Sequence, residues 1–455
     1  MLKKKVLIFI SSDLFIRNYI YTKSFKEIEK TYNCFYLLSS NVTLKKEIDK
    51  KKILGTINYK INEIKKFNYF NLKNFILNEQ KSKSIKFAIK IILNLKIFYK
   101  EQSIFINVTF FFLRIIANLK RRIYVYYIKF LSKLKDFNLI NPGYEINKNL
   151  KTIIKNLNPK LIIVPTQGQQ IDYYDILRLS RNENIKTIAL IDNWDNMSIR
   201  PHQKIKANFY GVWGEKSKLH AKKIQNISFK KIFLIGTPRY SNYLIERKKI
   251  ITSLYPFKYI LFLETFGITE NLDKILFSLE NLIKKNIQFK DYKIIYRPHP
   301  WRKDKNTIDL SRFQNIVLDT QIKNQYLNKN FQTSFQPKLD YYPSLIKNSE
   351  FVISGPGSMI IESLIFYKKI LLLMHDKNEK FGHYAFFSNY EHCKNVEKID
   401  NIVTCENLSC INEDINLLLS RNLNKKKIDK HRNFYLFNNN LSYSDRILKI
   451  IKTII

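Results

Sequence analysis

Residues 351–374, FVISGPGSMIIESLIFYKKILLLM, decide how the rest of the chain is read. An apolar run ends at Gly355-Pro356-Gly357, Ser358 opens a helix-length segment, and a second apolar run begins at Ile370. The pattern is strand, loop, helix, strand, with the loop at a strand's carboxyl end, where phosphate binds in parallel α/β units. Gly355 and Gly357 permit a tight turn. Ser358 is placed to cap the helix and leave backbone N–H groups for an anion. Glu362 lies one turn further along, on the same face as Ser358. The plain alternative for the pair is a helix cap and a solvent-facing carboxylate.

Upstream, KIIYRPHPWR (293–302) ends another strand at Arg297 and His299, each followed by a proline. Arginine offers a planar fork for diphosphate oxygens. Histidine can donate to phosphate or sugar oxygen without a fixed charge. The prolines restrict the loop, so its groups need less ordering on binding. A rigid surface loop with incidental basic residues is the competing reading.

The same rhythm extends over most of the chain. Strands are expected at 6–11, 35–40, 161–166, 187–194 and 209–214 in a first half, whose last strand-loop unit is 231–240. Others are expected at 259–267, 292–296, 316–318, 351–354 and 368–374 in a second. Helices are expected at 173–182, around His220, at 270–286, in YYPSLIKNS (341–349), in LSCINEDINLLLS (408–420) and in the last 25 residues. Residues 41–80 are lysine-rich with weak periodicity, and 321–338 reads as a polar loop. Strands alternating with helices imply parallel sheets with ligands at the carboxyl ends. The expected division is 1–250, 251–430 and a C-terminal helical segment, 431–455, packing back on the first domain. A basic, aromatic helical insertion occupies about 82–138.

With 455 residues, 45% hydrophobic, the chain can bury two cores and is not compositionally disordered. Four scattered cysteines without CxxC spacing fit a reducing compartment. The charge is +41, from 79 basic and 38 acidic residues. That suits nucleic acid, an anionic membrane or anionic substrates, although lysine spread through Ile-, Asn- and Phe-rich sequence also fits coding bias. The basic start MLKKKVLIFISSDLF has too short an apolar run for a secretory signal, and no run reaches the length of a membrane span. The insertion could lie on an anionic membrane or simply pack as ordinary helices.

The RPHP loop at 297–300, SGPGSMIIES at 354–363 and the KKILLL strand at 368–373 resemble GT-B glycosyltransferases. They also resemble the related CDP-glycerol glycerophosphotransferase-like enzymes of bacterial surface polysaccharide synthesis. The match covers roughly 259–395. The segments ALIDNWDN (189–196) and IGTPRY (235–240) look like uncharacterised members of the same broad group. The resemblance implies an α/β, GT-B-like fold, two Rossmann-like domains facing a central cleft. It implies that His299 and Ser358 bind donor phosphates and that Glu362 binds the ribose. Arg297, Gly355 and Gly357 complete that loop set, and Arg239 could reach donor phosphate across the cleft. His383 could touch donor or acceptor, with His375 weaker and Glu264 and Thr265 lining the cleft. For the acceptor-side base the first candidate is Asp195 and the second Asp13; loop capping is the alternative for Asp195. Asp192 sits at the same strand end, and Trp194 could stack on a sugar.

The expected activity is a metal-independent glycosyltransferase with no cofactor. It would move a sugar from a nucleotide-sugar donor to a lipid-linked or growing oligosaccharide acceptor, at the inner face of the cell membrane in the cytoplasm. A glycerophosphotransferase-like polymer enzyme, a nucleotide-sugar epimerase and a noncatalytic member of the fold are the alternatives. Nucleic-acid binding is not expected, because the charge forms no compact stripe and no recognition motif is present.

Overall fold

The computed structural model describes residues 3–93, 119, 122–123, 125–128, 130, 142–201, 204–265, 272–299, 309–327, 338–439 and 441–455. Two parallel sheets organise them. The first consists of β1 (Lys5–Ile10), β2 (Asn33–Ser39), β3 (Ile53–Ile57), β4 (Leu161–Thr166), β5 (Lys186–Ile191), β6 (Phe209–Val212) and β7 (Ile232–Leu234), in the order β3-β2-β1-β4-β5-β6-β7. The second consists of β8 (Lys258–Leu263), β9 (Tyr292–Arg297), β10 (Ile316–Leu318), β11 (Val352–Ser354), β12 (Ile370–Leu373) and β13 (Ile402–Cys405), in the order β10-β9-β8-β11-β12-β13. Each order reverses once, between β1 and β4 and between β8 and β11. Such a reversal opens a crevice at the carboxyl ends of the strands, where ligands bind in doubly wound sheets.

The strands are continuous apolar runs because helices cover both sheet faces. Val6 to Ile10 are all fully buried. One face of the first sheet packs with Phe67, Leu150, Ile154, Tyr174 and Ile176. The other packs with Phe15, Tyr19, Phe25 and Ile28. Onto that second face comes the last helix, Tyr443–Ile454, which buries Tyr443, Ile447, Ile451 and Ile454 among the side chains of β1 and β4. Each aliphatic side chain removed from water there is worth roughly 1.5–3 kcal/mol. The chain crosses back from the second sheet through Phe437, whose N–H donates to the Trp213 carbonyl at 2.6 Å.

Several elements differ from expectation, among them helix Ile61–Leu77 in the lysine-rich 41–80 segment and helix Lys148–Leu157. β3 lies within 41–80, where lysines mask a short edge strand that is only partly buried. Helix Thr320–Leu327 occupies part of the expected polar loop, and Asp319 accepts from Ile322 N–H at 3.1 Å in its first turn. β13 extends the second sheet beyond the last strand the sequence suggested. Most of the insertion at about 82–138 lies outside the described residues. Helix Lys83–Leu93 falls within them, and its Phe87 packs on Phe381 and Phe386 of the second domain. Among the described residues no helix is long and apolar enough to cross a membrane.

Candidate functional site

The reversal between β8 and β11 brings the predicted donor-side loops to adjacent strand ends. Leu263 pairs with Arg297 on one side and Ser354 on the other. Glu264–Thr265, Arg297–His299 and Gly355 therefore leave the sheet side by side. Glu264 shapes the loop after β9: its Oε2 accepts from the Tyr296 hydroxyl at 3.0 Å and from the His299 backbone N–H at 3.1 Å. Burial, aided by the Arg297 charge, pushes the His299 imidazole down to about 4, so it is neutral near pH 7.

Arg297 does not offer its fork to the crevice. It is 3% exposed and pairs with Asp319 at 2.5 Å, while its other terminal nitrogen donates to Gln321 at 2.7 Å and to the Tyr342 hydroxyl at 3.1 Å. Its guanidinium lies 4.7 Å from the Tyr342 ring centroid. Asp319 also accepts from the Tyr341 hydroxyl at 2.7 Å. These groups tie β9 to helices Thr320–Leu327 and Tyr341–Lys347.

The Gly355 position is set by close approach. Neither Gly355 nor Gly357 has a positive φ. A Cβ on Gly355 would lie 2.4 Å from His383 Cδ2 and 2.4 Å from Thr265 Oγ1, whereas one on Gly357 would meet open space. Ser358 has helical backbone angles and makes no capping hydrogen bond, contrary to the expected cap. His383 thus joins the loops of β8 and β11, and its ring lies 4.7 Å from that of His375. Burial is the main cause holding both imidazoles well below their ordinary value, His375 at about 4 and His383 at about 3.

The strand-end loops of the two sheets meet at a buried ionic cluster. Glu362, 5% exposed, accepts from the Tyr240 hydroxyl at 2.9 Å and the Tyr243 hydroxyl at 3.1 Å, and pairs with Arg239 at 3.6 Å. In this conformation the glutamate expected to meet ribose joins the second domain to the segment after β7. Arg239 also donates to Tyr240 and lies 5.2 Å from the Trp213 ring centroid. Burial opposes its charge, but Tyr240, Glu362 and Asp192 outweigh that and hold its pKa above the ordinary value.

Asp192 adds its charge to that of Glu362 on Arg239 and accepts from Asn18 at 2.9 Å. Burial lifts its carboxyl above the usual range against the pull of Arg239, Asn18 and Arg17. Arg17 is the residue the sequence reading missed. It is buried in the π-helical turn Ile16–Ile20 after β1, where burial and the Arg239 charge depress its pKa. Turns of this kind recur at functional sites. No side-chain spacing announces it, because its neighbours come from β5, β7 and the second domain.

Of the two base candidates, Asp195 is half-buried at the start of helix Asn196–Ile199 and accepts from Asn196 Nδ2 at 3.1 Å. Burial raises its carboxyl pKa, with Arg200 opposing. Its charge, after burial, helps raise the Tyr390 hydroxyl of the second domain above the ordinary value. Asp13 accepts from Thr43 N–H at 2.8 Å, Leu44 N–H at 3.1 Å and the Thr43 hydroxyl at 2.5 Å, which makes it a loop anchor. Trp194 is 3% exposed and packs edge-on to His392 at 4.8 Å, within the hydrophobic core it shares with Trp213 and Tyr435.

No protein-family model and no curated protein matches the sequence. Solved structures match along the whole chain. UDP-GlcNAc 2-epimerase from Methanocaldococcus jannaschii is 13% identical, with 99% of each chain covered and a TM-score of 0.53. The UDP-GlcNAc 2-epimerase from Neisseria meningitidis, bound to UDP-GlcNAc, is 13% identical over 99% of this chain and 100% of that one, with a TM-score of 0.52. A glycosyltransferase from Rickettsia africae is 14% identical over 99% and 98%, with a TM-score of 0.50. At this identity the likeness is one of fold, and it agrees with the sheet orders above: the chain has a GT-B-like α/β fold of two Rossmann-like domains whose strand-end loops converge.

Proposed function

We propose that this protein is a nucleotide-sugar enzyme, and specifically a glycosyltransferase acting on a lipid-linked or growing cell-surface glycan. The observation that carries the reading is the convergence at the β8/β11 reversal of Glu264, Thr265, His299, Gly355 and His383, facing a first domain that presents Asp195 and the Arg17–Asp192–Arg239 cluster. The donor diphosphate lies along the Gly355–Ser358 loop, with Ser358 and the neutral His299 imidazole donating to its oxygens. Asp195 accepts the proton of the acceptor hydroxyl as that oxygen bonds to the anomeric carbon. The bond from that carbon to phosphate oxygen breaks, and the nucleoside diphosphate leaves. Hydrogen-bond donors at the strand-end loops carry part of the negative charge that develops on the leaving diphosphate.

Glu362 and Arg239 act in this scheme as the joint between domains. Closure about that joint excludes water from the activated sugar. The protein works on the cytoplasmic face of the membrane. Leu119, Ile123, Tyr126, Tyr127 and Phe130 are exposed on helical residues whose neighbours Val125 and Ile128 pack against Ile76. An aromatic, apolar face in so basic a chain suits an anionic bilayer.

A nucleotide-sugar 2-epimerase is the second reading, favoured by the full-length likeness to two such enzymes. One experiment separates the two. Purified protein is incubated with each donor it binds, with and without a lipid-linked glycan extract. Sugar transfer that requires the extract supports the transferase. Epimer formation in its absence replaces that reading with the epimerase.

A further inference from the structure

The loop that follows β12 folds back on itself and gathers three metal-ligand side chains. His375 and Asp376 begin it, and His383 ends it as the first residue of helix His383–Asn389. Three local features fix the turn. Asp376 adopts a left-handed backbone with φ of 69°. Glu379 N–H donates to the Asp376 carbonyl at 2.9 Å, and Tyr384 N–H to the His375 carbonyl at 3.3 Å. Gly382 lies so close that a Cβ there would sit 2.8 Å from Asp376 Cβ. As a result, one ligand atom from each of His375, Asp376 and His383 lies within 4.8 Å of the others.

A second observation is independent of that spacing. His375 and His383 are each 3% exposed. The Nδ1 atoms of both, and the hydroxyl of neighbouring Thr265, have no hydrogen-bond partner among the described residues. Buried polar atoms are seldom left unmatched, and several in one place point to a ligand or solvent. His375 Nε2 stands 2.8 Å from Asp376 Oδ2. Two imidazoles and a carboxylate suit a borderline divalent ion such as Zn²⁺, Mn²⁺ or Co²⁺ and leave at least one coordination position open.

We propose that His375, Asp376 and His383 form a divalent transition-metal site beside the Gly355 loop. This revises the metal-independent expectation from sequence, which found no ligand spacing because the ligands lie on one folded loop with no familiar motif. Metal binding stands without any assumption about activity. That the open position takes a donor phosphate oxygen rests on the proposed function.

The test is binding of Zn²⁺ and Co²⁺ alone to the full chain after chelator treatment, by titration calorimetry and elemental analysis. One equivalent is expected, with visible Co²⁺ d–d absorption and a rise in thermal midpoint on adding Zn²⁺ to wild type. His375→Gln, His383→Gln and Asp376→Asn should each weaken binding by about 100-fold or more, since loss of even an outer-shell partner costs 10–100-fold. Asparagine tolerates the left-handed backbone at 376, so that variant keeps the loop. Absence of stoichiometric metal on folded wild type, or binding unchanged in the three folded variants, overturns the site. Nucleotide binding measured on the same chelated protein keeps the two ideas apart: retained nucleotide affinity with no metal sinks only the metal site.

Discussion

Replacing Glu362 with alanine tests whether this carboxylate is an interdomain joint or a free ribose ligand. The Arg239–Glu362 separation of 3.6 Å corresponds to a gross attraction of about 4–5 kcal/mol at an effective dielectric near 20. Each tyrosine hydroxyl bonded to the charged carboxylate adds about 1.5–3 kcal/mol. Desolvation of the ions offsets much of that sum. Removing one partner of a buried pair costs about 3–5 kcal/mol, because the other charge stays buried and unmatched. Glu362→Ala should therefore lose about 3–5 kcal/mol, and Glu362→Gln less, since it keeps an acceptor for one hydroxyl. Trp213 is fully buried and edge-on to Tyr240 at 5.4 Å, so tryptophan fluorescence during urea unfolding reports on this seam. A cycle with Tyr243→Phe should give a coupling of about 1–2 kcal/mol. If Glu362→Ala unfolds within about 0.5 kcal/mol of wild type while losing nucleotide affinity, the joint assignment is wrong and the carboxylate serves the ligand.

Arg297→Ala should cost about 3–5 kcal/mol through the stranded Asp319; a variant as stable as wild type in urea would show that the Asp319 pairing does not hold β9 in place. His299→Ala should leave the unfolding midpoint within about 0.5 kcal/mol and weaken nucleotide binding about tenfold or more, read by calorimetry. Gly355→Ala drives a methyl group into His383 and Thr265 and should cost about 1–3 kcal/mol in urea unfolding. Stability should also fall in acid. Burial holds His220 at about 3 and His299 at about 4, both below the unfolded value near 6.5. The unfolded chain therefore binds more protons, so this stability is complete above about pH 6.5 and erodes as pH falls through about 4 for His299 and about 3 for His220. His220→Gln should flatten that slope in a pH series of thermal midpoints; an unchanged slope would remove His220 as a source.

The α/β architecture was legible because most strands are unbroken apolar runs ended by Gly, Pro or Asp. β3 was not, since an edge strand half-covered by lysines carries little period. The site was legible as loops more than as contacts. RPHP and SGPGS leave the ends of β9 and β11, which flank β8 on either side rather than adjoin each other. The partners of their side chains were not readable, because they are set by residues distant in sequence. Arg297 looks like a phosphate fork until Asp319 and Tyr342 are placed around it. Glu362 looks like a ribose ligand until Tyr240 and Tyr243 close on it. Arg17 has no motif at all, and a π-turn with neighbours from three other segments makes it part of the cluster.

The central claim is a nucleotide-sugar site at the carboxyl ends of β8, β9 and β11. It is tested most directly by calorimetric titration of the full chain with UDP-, CMP-, CDP-, GDP- and dTDP-linked donors and their nucleotides, with His299→Ala in parallel. Selective binding to one nucleotide class, weakened by the substitution in a folded variant, is the predicted result. A folded wild-type protein that binds none of them would contradict it.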